Sequence, residues 1–238
     1  DTMLCLRDIR KNYGGRTVLG GIGLSVESGE AVCVAGRNAQ GKSTLLSIAA
    51  GLIRPDGGDV ASDGEIGFVP QVPALLPELS VRDHLELWIA AHGRKKNRPF
   101  ETGSPEVKLG LLEHASKRAR SLSGGVQKRL SVCLALAGSP KTLILDEPFA
   151  ALDRTGGEEL EALLREFLAS GGGILMTSHD PMRISAIGRE VYLLEGGRFA
   201  AREVLTDEMS PKERRLRVLN LLSGCAGTEG EGAALEDR

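Results

Sequence analysis

Glu30-Ala-Val-Cys-Val-Ala-Gly36-Arg-Asn-Ala-Gln-Gly41-Lys42-Ser43-Thr44 passes from an apolar run, through a glycine-bounded loop, into Leu45, Leu46 and Ile48 at helical spacing. The apolar run reads as a buried strand and residues 42–52 as a helix. Between them lies G-x-x-x-x-G-K-[ST], in the strand–loop–helix setting that this motif requires. Backbone N–H groups of such a loop curl around phosphate oxygens, and the helix start adds partial positive charge. Lys42 is placed to reach the β- and γ-phosphates, Ser43 to offer its hydroxyl to Mg²⁺, and Thr44 to donate to a phosphate. The candidate nucleotide contacts are Gly36, Arg37, Asn38, Ala39, Gln40, Gly41, Lys42, Ser43 and Thr44. The loop alone says only "nucleotide", because kinases, GTPases and many ATPases share it.

Outward from this loop, apolar runs alternate with helical patterns, the signature of an α/β domain. Residues 142–146 and 173–178 read as two more buried strands. Leu160, Leu163, Leu164, Phe167 and Leu168 share one helical face. So do Val81, Leu85, Trp88, Ile89 and His92, after a capping-box pattern at Ser80 and Asp83. The region up to about residue 138 reads as a helical insertion, with Trp88 in its core. Pro55 to Gly58 is a turn. Gly93 to Pro105 reads as a loop carrying Arg94, Lys95, Lys96 and Arg98, a solvated face rather than a lipid contact. Lys212 to Arg217 reads as part of a surface helix with Leu216, Leu219 and Leu222. From Ser223 onward the Gly-, Ala- and Glu-rich composition predicts a disordered tail.

The composition excludes several classes. The 238 residues suit one large domain, with 41% hydrophobic and 26% charged residues, as in an ordinary globular protein. A net charge of -2 gives no basic field for nucleic acid. No apolar run approaches the roughly 18 residues of a membrane span, and the N-terminus has no leader pattern. Cys5, Cys33, Cys133 and Cys225 are far apart and in no metal-like spacing, which points to a reducing, cytoplasmic setting.

Leu122-Ser-Gly-Gly-Val-Gln127 narrows the reading. A serine and two glycines precede a helical pattern running from Val126 to Ala137, which makes a second anion site at a helix start. One nucleotide has no obvious need for two such sites from one chain. Thr142-Leu-Ile-Leu-Asp146-Glu147-Pro148 follows, an apolar strand ending in two acids. Asp146 suits Mg²⁺, and Glu147 suits the proton of an attacking water.

Taken in order, these motifs resemble the ATP-binding domains of ABC transporters, from residue 3 to about 205. The resemblance implies a P-loop NTPase core with a small antiparallel β-subdomain and a helical subdomain inserted at about 72–138, all within residues 1–222. Tyr13 resembles the aromatic that stacks on adenine. Gln71, in Phe68-Val-Pro-Gln71, resembles the glutamine that senses Mg²⁺ and the membrane partner. Ser123, Gly124 and Gly125 lie in the segment resembling the family signature. Ala151-Leu152-Asp153 resembles the segment crossing the dimer interface. His179 resembles the switch histidine at the γ-phosphate. The resemblance further implies two domains packed head to tail around ATP and Mg²⁺. Each phosphate loop then faces the other chain's signature, and a separate membrane permease carries the solute. The chain would sit on the cytoplasmic face of the membrane through that permease. Pro77 to Leu85 and Gly125 to Ser131 resemble subunits of ABC-2-type exporters, so the expected direction is export.

Two positions depart from the family pattern. Ala39 stands where glycine is usual, and Gln40 where a small residue is usual. If position 39 needs positive φ, alanine there costs roughly 1–2 kcal/mol, which predicts slightly weakened nucleotide binding. Three other readings are open on sequence alone: an assembly-type ABC ATPase with soluble partners; a nucleotide-binding scaffold without turnover, against which Glu147 and His179 argue; and an unrelated P-loop kinase, in which residues 122–127 would lack purpose.

Overall fold

Ala31–Ala35 (β3), Thr142–Asp146 (β6) and Gly173–Thr177 (β7) are buried at every position. Strands covered on both faces lack the apolar/polar alternation of a one-sided sheet. In the computed structural model, which describes residues 1–93 and 98–223, they lie at the centre of a six-stranded sheet. Ile66–Val69 (β5) and Glu190–Glu195 (β8) extend it in parallel, and Arg198–Val204 (β9) closes one edge antiparallel to β8. The order is β5-β6-β7-β3-β8-β9. A second, antiparallel sheet in the order β2-β1-β4 is built from Thr2–Tyr13 (β1), Arg16–Glu27 (β2) and Gly57–Ser62 (β4). The short stretch between Gly58 and Gln71 thus contributes a strand to each sheet.

The period-two alternation of the central strands sorts their side chains onto two faces. Val32, Val34, Ile144 and Leu175 join the apolar cluster of the antiparallel sheet and Lys42–Ala49 (α1). Cys33, Ala35, Leu143, Leu145, Ile174 and Met176 join the opposite cluster. That second cluster takes in Val81–Ala91 (α2), Gly124–Leu136 (α4), Arg154–Ala169 (α5) and Pro181–Ile187 (α6). The four-residue helix Pro105–Lys108 (α3) and two 3-10 turns link α2 to α4. Helix α4 lies directly against β5, so the helical segment and the sheet share one apolar cluster. Pro211–Ser223 (α7) packs on α6.

Several sequence boundaries shift for local reasons. The helix expected over 42–52 stops at Ala49, because Gly51 turns left-handed (φ 73°). The helix expected from Val126 starts at Gly124, since Ser123 is its N-cap. On α2 the capping box of Ser80 and Asp83 is present, and Trp88 is half-buried against the core. His92 is exposed beyond the helix end, while His84 takes the buried place on that face. On α7 it is Val218 that is buried; Leu216 and Leu219 are exposed. Arg94, Lys95 and Lys96 of the basic loop, and the tail from residue 224, lie outside the described residues. Among those described, Cys33 and Cys133 are buried free thiols, and burial pushes the Cys33 thiol up to about 12.

Candidate functional site

The loop at residues 36–41 leaves the end of β3 and enters α1. Gly36 has φ 149°, and a Cβ there would stand 2.4 Å from the Leu194 carbonyl oxygen. Gly41, at φ 100°, caps α1 without a side-chain bond, so its first-turn N–H groups are left for an anion. A Cβ at Gly41 would come within 3.0 Å of the Val18 carbonyl. Ala39 takes φ 63°, so the condition attached to this position is met and the alanine carries the strain. Lys42 Nζ folds back onto the carbonyls of Gly36 and Arg37 at 2.7 and 2.8 Å. Burial lowers its pKa, while the carboxylates of Glu147 and Asp146 oppose that shift. Ser43 is exposed on the first turn and Thr44 is half-buried.

Opposite the loop, β6 ends in buried Asp146, whose Oδ1 accepts the Thr177 hydroxyl at 2.6 Å. The same hydroxyl oxygen accepts the Glu147 backbone N–H at 2.9 Å. Glu147 sits at φ 47°, where the chain turns sharply off the strand. Its Oε2 lies 3.1 Å from Nδ1 of His179, which is 80% exposed just beyond β7. Lys42, Asp146, Glu147 and His179 therefore belong to one cluster at the ends of β3, β6 and β7. Tyr13 ends β1, 48% exposed, in the hairpin whose second strand touches Gly41 through Val18. Gln71 is exposed just after β5.

The signature segment packs against the turn that follows Glu147. The Ser123 hydroxyl accepts the Val126 N–H at 3.4 Å. A Cβ at Gly125 would stand 2.8 Å from the Ala151 carbonyl, and Ala151 itself is left-handed at φ 65°. Asp153 caps α5 through the Gly156 N–H at 2.9 Å and pairs with Arg129 at 3.3 Å. The side chains of Ser123 and Asp153 bond to Val126, Gly156 and Arg129, at the starts of α4 and α5 and between them.

The sequence profile of the ABC transporter family matches residues 19–150, more than half of the chain. This chain belongs to that family. The nitrate import ATP-binding protein NrtD of Synechocystis sp. is 33% identical, over 86% of this chain and 83% of its own length. The pyoverdine export ATP-binding/permease protein PvdT of Pseudomonas fluorescens is 32% identical, over 97% of this chain but 39% of its own length. A dimeric, post-hydrolysis ATP-binding cassette bound to ADP and Pi superposes with a TM-score of 0.74 at 27% identity, over 86% of this chain and 99% of that one. The chain is thus an ATP-binding subunit of an ABC transporter and an ATPase, converting ATP and water to ADP and phosphate. No helix among its described residues is long and apolar enough to cross a membrane.

The sequence reading of this ABC subunit missed two residues that hold the cluster in place. Thr177 bridges Asp146 and Glu147. Lys128, on α4, is 2% exposed and donates to the carbonyls of Pro70 and Gln71 at 2.9 and 2.7 Å. Burial lowers its pKa, against the attraction of Asp146 and Glu147. Helical spacing carried a signal: Lys128 falls one turn before buried Val132, on the face of α4 that covers the sheet.

Proposed function

We propose that two nucleotide-binding domains of this kind close head to tail around ATP and Mg²⁺, and that hydrolysis reopens them to drive a separate membrane permease from its cytoplasmic face. The observation carrying this reading is that one chain presents two helix starts suited to an anion, one capped by Gly41 at α1 and one by Ser123 at α4. The cluster of Lys42, Asp146, Glu147 and His179 lies at the ends of β3, β6 and β7. Ser123, Gly124 and Gly125 stand with Ala151 to Asp153 at the start of α4. Two such half-sites are complementary across a two-fold pair and redundant within one chain.

Gly36 to Thr44 bind the phosphates through loop N–H groups, the Lys42 ammonium and the start of α1, while Tyr13 stacks on the base. Glu147 accepts the proton of the attacking water, and His179, 3.1 Å from it, orients that carboxylate and reaches the γ-phosphate. Ser123 and Gly125 meet the γ-phosphate from the opposite chain, and Asp153 lines the same seam. The donor set fits Mg²⁺: a hydroxyl at Ser43 and a buried carboxylate at Asp146 with one oxygen engaged by Thr177, joined by Gln71. Mg²⁺ favours such a sparse protein set completed by phosphate oxygens, whose charge it offsets when bound.

Export is the proposed direction, supported only by the segments at 77–85 and 125–131. The relatives are mostly named for import, of nitrate, aliphatic sulfonates and molybdenum, with pyoverdine export among them, so they lend export no support. Glu147→Gln in Mg-ATP, followed by size-exclusion with light scattering, tests the shared-site reading. A dimer that trapping in ATP stabilises and ADP disperses supports it. A chain that binds ATP and stays monomeric without and with its permease sinks it.

A further inference from the structure

Residue 40 departs from the family pattern, and the structure gives that departure a partner. Gln40 Oε1 accepts the Gly196 backbone N–H at 2.8 Å, across 156 positions of sequence. Gly196 and Gly197 form the turn between β8 and β9, both at positive φ. That turn is locked against β2: the Gly197 carbonyl accepts the Gly20 N–H at 2.8 Å, and a Cβ at Gly197 would stand 2.6 Å from the Val18 carbonyl. The same Val18 carbonyl abuts Gly41, and the Leu194 carbonyl at the end of β8 abuts Gly36. Both glycines bounding the phosphate loop therefore rest on strand ends. Between them, Ala39 is held at φ 63°, a conformation alanine disfavours. Its neighbour Gln40 is the side chain that reaches across to the β8–β9 turn.

We propose that Gln40 is a positioning residue that latches the strained phosphate loop to the β8–β9 turn, holding its N–H groups in the anion-binding arrangement before nucleotide arrives. Without the latch, Ala39 draws the loop toward right-handed or extended conformers, and nucleotide affinity falls with the fraction of competent loop. Glycine at position 39 removes that pull, so the latch then matters less. The two departures from the family pattern form one compensated pair, in which the side chain at 40 offsets the strain at 39. This inference rests on the reading of residues 36–44 as the nucleotide loop.

The test is a double-mutant cycle read by calorimetric titration of Mg-ATP and of ADP, with amide exchange at Gly196 as a second readout. Four chains are compared: wild type, Gln40→Ala, Ala39→Gly and the double variant, with Lys42→Ala as control. Gln40→Ala is expected to weaken binding about fivefold in the wild-type background, the worth of one hydrogen bond. In the Ala39→Gly background the loss should be under about twofold, a non-additivity expected of adjacent residues that share one strained loop. Gly196 should exchange faster in both chains that lack Gln40. An equal loss in the two backgrounds, no loss at all, or unchanged exchange at Gly196 overturns the latch. Nucleotide binding by wild type that Lys42→Ala abolishes keeps the loop assignment whichever way Gln40 falls; absence of binding by wild type removes both.

Discussion

At the scale of single residues, Lys128 shows how a buried charge is made tolerable. Two carbonyls accept its ammonium, and the carboxylates of Asp146 and Glu147 attract it. Replacing it by methionine relieves the desolvation of a charge but leaves the Pro70 and Gln71 carbonyls without their donor and buried Asp146 without its counter-charge, so the exchange is a net loss. Position should suffer with stability, because the backbone at Gln71 loses its anchor. Lys128→Met is therefore expected to lower the unfolding free energy by about 1–3 kcal/mol, while ATP turnover in the permease complex falls about tenfold or more. Urea denaturation and steady-state kinetics on the same preparation check both halves. Wild-type turnover in Lys128→Met would show that the anchor has no part in the reaction. The phosphate loop, in contrast, was legible from the sequence because its parts are contiguous and glycine marks the places where the backbone must pass close to Leu194 and Val18. The partners of Lys128 and Gln40 lay up to 156 positions away, and no local pattern encodes them.

At the scale of elements, one buried side chain ties the connection between β5 and α2 to the helix. His84 is fully buried, its Nδ1 lies 2.8 Å from the Ser80 carbonyl, and its Nε2 accepts the Leu76 N–H at 2.9 Å. A backbone N–H can only donate, so Nε2 is bare and Nδ1 carries the proton to Ser80. The ring thereby fastens the irregular stretch after Gln71 to the first turn of α2, where Val72 and Leu76 stand exposed. His84→Leu keeps the apolar volume but leaves the Leu76 N–H without its acceptor, at a cost of about 1–3 kcal/mol. A lowered urea midpoint, with faster amide exchange confined to residues 72–79, is the expected result; an unchanged midpoint refutes this role. The apolar face of α2 was predictable from helical spacing, but His92 and His84 exchanged places. Spacing extends a helix without limit, whereas this one ends at Ala91 and leaves His92 in solvent. The strands at 142–146 and 173–177 were easier, since uninterrupted apolar runs of that length suit few other places in a fold.

At the scale of the whole molecule, the proposed sharing of sites between chains makes a demand that no single-chain role can imitate. Lys42→Ala spoils the phosphate-loop half of a site, and Ser123→Arg fills the small signature half with a bulky cation. Each variant alone has both of its composite sites broken in a head-to-tail pair. Mixed, one site combines both defects and the other combines an intact loop from the Ser123→Arg chain with an intact signature from the Lys42→Ala chain. ATP-dependent association, measured by light scattering with Glu147→Gln in both chains to prevent turnover, should therefore appear in the mixture and in neither variant alone. Failure of the mixture, with both chains folded by circular dichroism and the Ser123→Arg chain still binding ATP, would mean that Ser123 serves its own chain. Its contact with Val126 would then be its whole purpose, the cap of a helix rather than half of a partner's site.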